Sequence, residues 1–300
     1  MSSMSVESAV IPVAGAGSGV LPATSAIDKC MLPIYTGESA RPAIDYMVED
    51  CVLAGMKQII FITSERGERQ LRDFYEQLPA TLEAQLKRAG KNEKLAEELE
   101  RRRALDSVVR RYKVQPADEY GTAYPPLLAK EVLGNDESFA LMGGDDFVYR
   151  QDGSSELADA IATLDVAGTD HIITGMPKPE EKGPRTKFGI LHLDEHSNLS
   201  HFDEKPLLED LPSNPVANIG RYILSPAIWP HIKAEMACNR PPGEEHYITY
   251  AINDALASGQ TFGLRISRGK WLEAGSFEGL REAGNWIAKH PRKPQVLAHS

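Results

Sequence analysis

The chain has three cysteines in 300 residues, Cys30, Cys51 and Cys238, far apart and without CxxC spacing. That argues against a disulfide framework or a thiolate metal knot, and leaves three reduced thiols. Cys51 falls in an apolar helical pattern and is expected in the core, whereas Cys30 borders a glycine-rich loop and is open to exposure. No apolar run approaches the roughly 20 residues that span a bilayer. Residues 1–8 have neither the basic start nor the apolar core of an export signal, so a cytoplasmic protein is expected. A basic surplus is missing too: 33 Lys and Arg against 43 Asp and Glu leave a net charge of -10. Nucleic acid and anionic membranes attract basic faces, so neither is the expected partner. The histidines show no triad or metal spacing, and no repeat or long linker divides the chain. Its length suffices for one large core.

The densest signal lies between residues 8 and 34. An apolar run from Val10 to Ala14 predicts a buried strand that opens into Gly15-Ala16-Gly17-Ser18-Gly19. Glycines let backbone N–H groups approach a ligand closely, so this loop is a candidate phosphate cradle. The competing reading is a turn that merely reverses the chain. Lys29 comes about ten residues later, within reach of the same loop as a positive charge.

Arg41 to Gly55 carries apolar residues at helical spacing, with proline in the first turn and glycine at the stop, and Gln58 to Thr63 predicts a second strand. Strand, loop, helix and strand form a βαβ unit. The expected fold is therefore α/β and Rossmann-like, with a mostly parallel central sheet flanked by helices. Ligands in such sheets bind at the carboxyl ends of the strands, where the glycine loop sits. Residues 66–111 are highly charged with leucines at turn spacing, which predicts a helical insertion, and Arg101 to Arg103 beside Glu97, Glu98 and Glu100 predict a solvated face. Such a projection suits contacts between subunits.

Residues 138–149 predict an apolar strand ending in two glycines and two aspartates, Gly143-Gly144-Asp145-Asp146. The aspartates are either turn caps or, at the end of a buried parallel strand beside a phosphate loop, magnesium ligands. A strand at 171–176 leads into a Lys-, Glu- and Pro-rich loop over 177–187, expected to act as a mobile lid. Phe188-Gly189 and Glu204-Lys205-Pro206 come next. A carboxylate suits vicinal hydroxyls and an ammonium suits phosphate, although either stretch alone is an ordinary surface turn. The tail from 289 to 300 has two prolines and is expected to fray.

The run IPVAGAGSGVLPATSAIDKCMLPI, the Glu204-Lys205-Pro206 triplet and the stretch from Ser213 to Pro230 together resemble the bacterial UTP–glucose-1-phosphate uridylyltransferases, a sugar nucleotidyltransferase family. The order of the motifs extends the resemblance over residues 8–285 as a single domain. It implies transfer of a nucleotidyl group from UTP to glucose 1-phosphate, giving UDP-glucose and pyrophosphate, with Mg2+ as cofactor and a homo-oligomer, dimer or tetramer, as the assembly. On that resemblance Ala14, Gly15, Gly17, Ser18, Gly19, Lys29 and Gly121 hold the nucleotide, and Gly189, Glu204 and Lys205 hold the sugar phosphate. Asp145 and Glu273 hold the metal, while Lys29 and Lys205 neutralise charge in catalysis. The departures are Ser18-Gly19 where the family has Thr-Arg, Glu119 and Thr122 in the base-binding loop, and Glu273 where it has aspartate. They open an alternative, a catalytically weak relative that binds sugar nucleotide and regulates or oligomerises with an active enzyme.

Overall fold

A computed structural model describes residues 5–37, 39–119, 121–134, 137–241 and 244–292. In chain order its elements are β1 (Val6–Pro12), β2 (Pro33–Tyr35), β3 (Ala40–Pro42), α1 (Ala43–Leu53), β4 (Gln58–Thr63), α2 (Glu65–Tyr75), α3 (Ala80–Arg88), α4 (Asn92–Arg103) and β5 (Val109–Val114). Then come α5 (Tyr124–Leu133), β6 (Ser138–Met142), β7 (Asp146–Tyr149), α6 (Glu156–Ala167), β8 (His171–Pro177), β9 (Ile190–Leu193), β10 (Leu199–Asp203) and β11 (Val216–Leu224). The last are α7 (Trp229–Ala237), α8 (Ile248–Ala257), β12 (Phe262–Ile266), β13 (Lys270–Glu273) and α9 (Phe277–Lys289).

Nine strands form one sheet, in which β1 lies between β4 and β6 and pairs with both in parallel. Strand β5 continues beyond β4, also parallel. Beyond β6 the antiparallel β11 carries the sheet to β8 and β9. Only β10 and β11 oppose the common direction of the described sheet, so the expected mostly parallel architecture is present. The apolar run Ala9-Val10-Ile11 in β1 is what such a sheet requires, because successive side chains point to opposite faces and both faces are covered. Ile11 packs with Ile44, Met47 and Cys51 of α1 on one face. Val10 packs on the other with Ala129 of α5 and Ile252 of α8. Burial of each such side chain stabilises by roughly 1.5–3 kcal/mol. Serines close the starts of three helices: Ser64, Ser155 and Ser276 accept from Gly67 N, Ala158 N and Gly279 N.

The structure corrects several sequence expectations. The run over 138–149 is two strands, since Gly143 to Asp145 turns the chain out of the main sheet and β7 pairs instead with β13. Of the charged stretch 66–111, α2 belongs to the βαβ core through the buried Leu71 and Tyr75. The projecting part is the α3–α4 hairpin, in which α3 buries no residue. Of the three arginines only Arg103 is solvated: Arg102 is buried and donates to Asp73 O at 3.1 Å, and Arg101 donates to Phe74 O at 3.1 Å. Both also bond Glu98, so they clamp the hairpin to α2. Cys30 is buried, not exposed, and burial beside Asp28 pushes its thiol well up. The start of the tail is anchored, with Arg292 donating to Arg150 O at 2.9 Å; residues 293–300 lie outside the described residues.

Candidate active site

A cleft of about 450 Å3 opens at the carboxyl ends of β1 and β6, lined there by Pro12, Val13, Gly143 and Gly144. The two strands approach so closely that a Cβ on Gly144 would lie 1.8 Å from Pro12 O, which only glycine permits. Seven of the predicted residues line this cleft: Gly15, Lys29, Asp145, Gly189, Glu204, Lys205 and Glu273. Residues from nearly the whole length of the chain thus meet at one place, as the parallel topology requires.

The acidic wall is built by the β7–β13 ladder. Its antiparallel register sets Glu273 opposite Asp146, and Ala274 N donates to Asp145 O at 2.8 Å. Gly275 keeps the space between them open: a Cβ there would lie 3.2 Å from Lys29 Nζ and 3.5 Å from both Asp145 Oδ2 and Glu273 Oε1. Lys29 Nζ donates to Asp145 Oδ2 at 3.1 Å, and Lys187 Nζ donates to Glu273 Oε2 at 2.9 Å. Asp146, one residue on, is turned inward against Arg221, with Arg221 Nη2 2.9 Å from its Oδ1. Burial pushes the Asp146 carboxyl up to about 6, against the pull of that guanidinium. Arg221 also donates to Gly143 O and Asp146 O, which fixes the turn that carries Asp145. Two carboxylates facing one point fit a divalent cation of the magnesium type, which takes one or two protein carboxylates and completes its shell with phosphate and water oxygens.

At the end of the cleft formed by Glu204 and Lys205, Lys205 is a non-glycine residue with φ 48° and Glu204 accepts from Thr249 Oγ1 at 2.6 Å. A left-handed lysine is held at a cost and is found where the surroundings dictate side-chain direction. Lys205 Nζ lies 3.7 Å from Glu204 Oε1 and 5.1 Å from the centre of the Tyr247 ring. Gly189 is obligatory, because a Cβ would sit 2.4 Å from Phe202 Cε2; its carbonyl accepts from Asn218 N at 2.9 Å.

The remaining predicted residues stand differently. Gly17, at φ 66°, is buried under Thr24, whose hydroxyl donates to Gly17 O at 2.8 Å; Arg66 of α2 in turn donates to Thr24 O and Ser25 O. It shapes the loop and does not line the cleft. Ala14, Ser18 and Gly19 sit on the same loop outside the lining, and a Cβ on Gly19 would lie 3.2 Å from Gly275 O, at the lip of the acidic wall. Gly121, at φ 107°, packs on the chain at His246, where a Cβ would meet His246 O at 2.5 Å; its neighbour Thr122 lines the cleft in its place. The loop 177–187 is pinned, not loose: Thr186 N donates to Pro206 O, Leu208 N to Pro184 O, and Lys187 N to Glu181 Oε1. Sequence reasoning gave no role to Lys187, Arg221 or Thr249. The available signal was the position of Lys187 directly before Phe188-Gly189.

Residues 8–290 match the nucleotidyl transferase family. The chain belongs to that family. It is 33% identical over 288 residues to a UTP–glucose-1-phosphate uridylyltransferase of Haemophilus influenzae, covering 92% of this chain and 90% of the relative. With the enzyme of that name from Pseudomonas aeruginosa it shares 31% over 287 residues, covering 94% and 95%. A crystal structure of a UDP-glucose pyrophosphorylase complexed with UDP-glucose superposes with a TM-score of 0.76 at 27% identity, covering 95% of this chain and 99% of that one. Within the nucleotidyl transferases the chain therefore sits among the UTP–glucose-1-phosphate uridylyltransferases, as its motifs imply.

Proposed function

We propose that the protein transfers a uridylyl group from UTP to glucose 1-phosphate, releasing pyrophosphate and forming UDP-glucose. The observation that carries this reading is the convergence of Lys29, Asp145 and Glu273 on Gly275, in one cleft with Glu204 and Lys205. The sugar phosphate is already ionised near neutral pH, so its oxygen attacks the α-phosphorus without a protein base, and pyrophosphate leaves in line. What the chain supplies is position and charge. Lys29 meets the triphosphate, Lys205 meets the sugar phosphate, and Glu204, oriented by Thr249, accepts from sugar hydroxyls. Loop amides around Gly15 to Gly19 cradle the phosphates, with Gly17 holding the loop's shape. Asp145 and Glu273 would hold magnesium, which when bound neutralises charge on the phosphates. The Glu273 carboxylate faces the same point as that of Asp145, which supports its part in this pair.

The reading further includes one catalytic domain over residues 8–285 that works in the cytoplasm. It includes a homo-oligomer in which the exposed α3–α4 hairpin makes subunit contacts. Among the described residues no helix is long and apolar enough to cross a membrane. Pyrophosphate release from purified protein with glucose 1-phosphate, magnesium and each of UTP, dTTP, ATP, CTP and GTP tests the central reaction. Release with UTP well above the others is expected; no release with any of them sinks it.

A further inference from the structure

The proposed transfer assigns no role to Lys187, yet it lines the cleft. It is one of three lysines that do so, with Lys29 and Lys205, against a wall that carries Asp145, Glu204 and Glu273. Its ammonium lies 2.9 Å from Glu273 Oε2 while its side chain remains about half exposed. An ion pair this open to water contributes little to stability, so stability does not account for its placement. The mount is rigid: Lys187 N donates to Glu181 Oε1 at 3.1 Å, and the neighbouring Thr186 is buried with its N–H on Pro206 O at 3.1 Å. The head is open to water and flanked by aromatic rings: its Nζ stands 5.5 Å from the centres of both the Phe188 and Trp271 rings.

Lys187 and Lys29 each pair with one of the two carboxylates. Lys29 takes Asp145 Oδ2, one of the two oxygens nearest Gly275, at 3.1 Å, and Lys187 takes Glu273 Oε2, beside the Oε1 that faces Gly275, at 2.9 Å. A divalent cation and an ammonium compete for such oxygens, so Glu273 given up to a cation leaves Lys187 unpaired beside the space that phosphates enter. We propose that Lys187 is a further phosphate-binding residue of this site, taking the leaving diphosphate, and that Glu273 holds it until that carboxylate turns to a divalent cation. The identity of the anion rests on the nucleotidyl-transfer reading. The same lysine supplies a cation near the lip where Gly19 offers only a backbone N–H.

The test uses the whole protein without nucleotide, with Mn2+ and inorganic pyrophosphate as probes and calorimetry as the readout. Lys187→Met removes the competitor for Glu273, so Mn2+ is expected to bind several-fold tighter than to the unmodified protein. Pyrophosphate, titrated with Mn2+ present, is expected to bind about tenfold more weakly. Lys187→Arg keeps the charge and should restore both values towards those of the unmodified protein. A residue that only supported the loop would not move the two affinities in opposite directions. Mn2+ binding that is unchanged or weaker in Lys187→Met overturns the proposal, as does undiminished pyrophosphate binding. Neither titration needs turnover, so a failure here is distinct from absent pyrophosphate release with every nucleotide, which counts against the transfer reading itself.

Discussion

The end of the cleft proposed to take the sugar is assembled from side chains that hold one another, whereas the end proposed to take the nucleotide is assembled largely from backbone. Glu204 is fixed by Thr249, and Lys205 is forced into a left-handed conformation beside it. At the other end, Gly15 and Gly19 are exposed loop residues, and the glycines at 17 and 121 are required by close packing against Thr24 and His246. Between them the β7–β13 ladder presents two carboxylates. The difference teaches where change is tolerated. A backbone-built end can lack one side chain, as at Gly19, and keep its shape, while the side-chain-built end is expected to lose function with a single truncation.

The sharpest break of that comparison is at the wall the two ends share. Asp145→Ala is expected to lower uridylyl transfer on the order of 10³-fold, read as initial rates of pyrophosphate release, with thermal stability little changed because the side chain is largely exposed. Lys205→Ala tests the sugar end. It should cost on the order of 10²-fold in kcat/KM for glucose 1-phosphate while the KM for UTP stays near its original value, a split that a global disturbance would not produce. Gly19→Arg tests the nucleotide end in the opposite sense. Its Cβ has 3.2 Å to Gly275 O, tight but adjustable, and the added guanidinium should raise kcat about tenfold. A fall in kcat would show that the lip has no room for the charge. Gly121→Ala should lower the melting temperature, by an amount equivalent to about 2 kcal/mol, because it adds a left-handed strain and a contact with His246 O.

The smallest effect concerns the thiols. Cys238 is exposed, while burial raises the thiols of both Cys30 and Cys51. A thiol reagent at pH 8 should therefore modify Cys238 in the folded protein without loss of activity, and reach the other two only on unfolding. Rapid labelling of Cys30 under native conditions would contradict the packing described for the glycine loop.

Much of this fold is legible in the sequence because parallel sheets impose simple rules. A run such as Val10 to Ala14 must be buried on both faces, and the loop at its carboxyl end must face the ligand. Asp145, Glu204, Lys205 and Glu273 are legible through their motifs, and all four line the cleft. Pairings across long separations are not. Nothing in the pattern near Lys187 points to Glu273, 86 positions away, and nothing near Arg221 points to the turn at Gly143 and Asp146. The arginines of α4 mislead for the same reason, since charges close in sequence imply solvent exposure until a helix packs against them. Cys30 misleads because a glycine-rich loop reads as open, when Thr24, Asp28 and α2 fold it inward.

The central claim is that both ends of the cleft hold one ligand. On that claim UDP-glucose would span them and UMP would reach only one, so calorimetric titration of both, with magnesium, into the unmodified protein and Lys205→Ala tests it most directly. The expected result is one UDP-glucose per chain, bound about tenfold more weakly by Lys205→Ala, with UMP binding unchanged. No binding of UDP-glucose, or equal weakening of both ligands, would contradict the account.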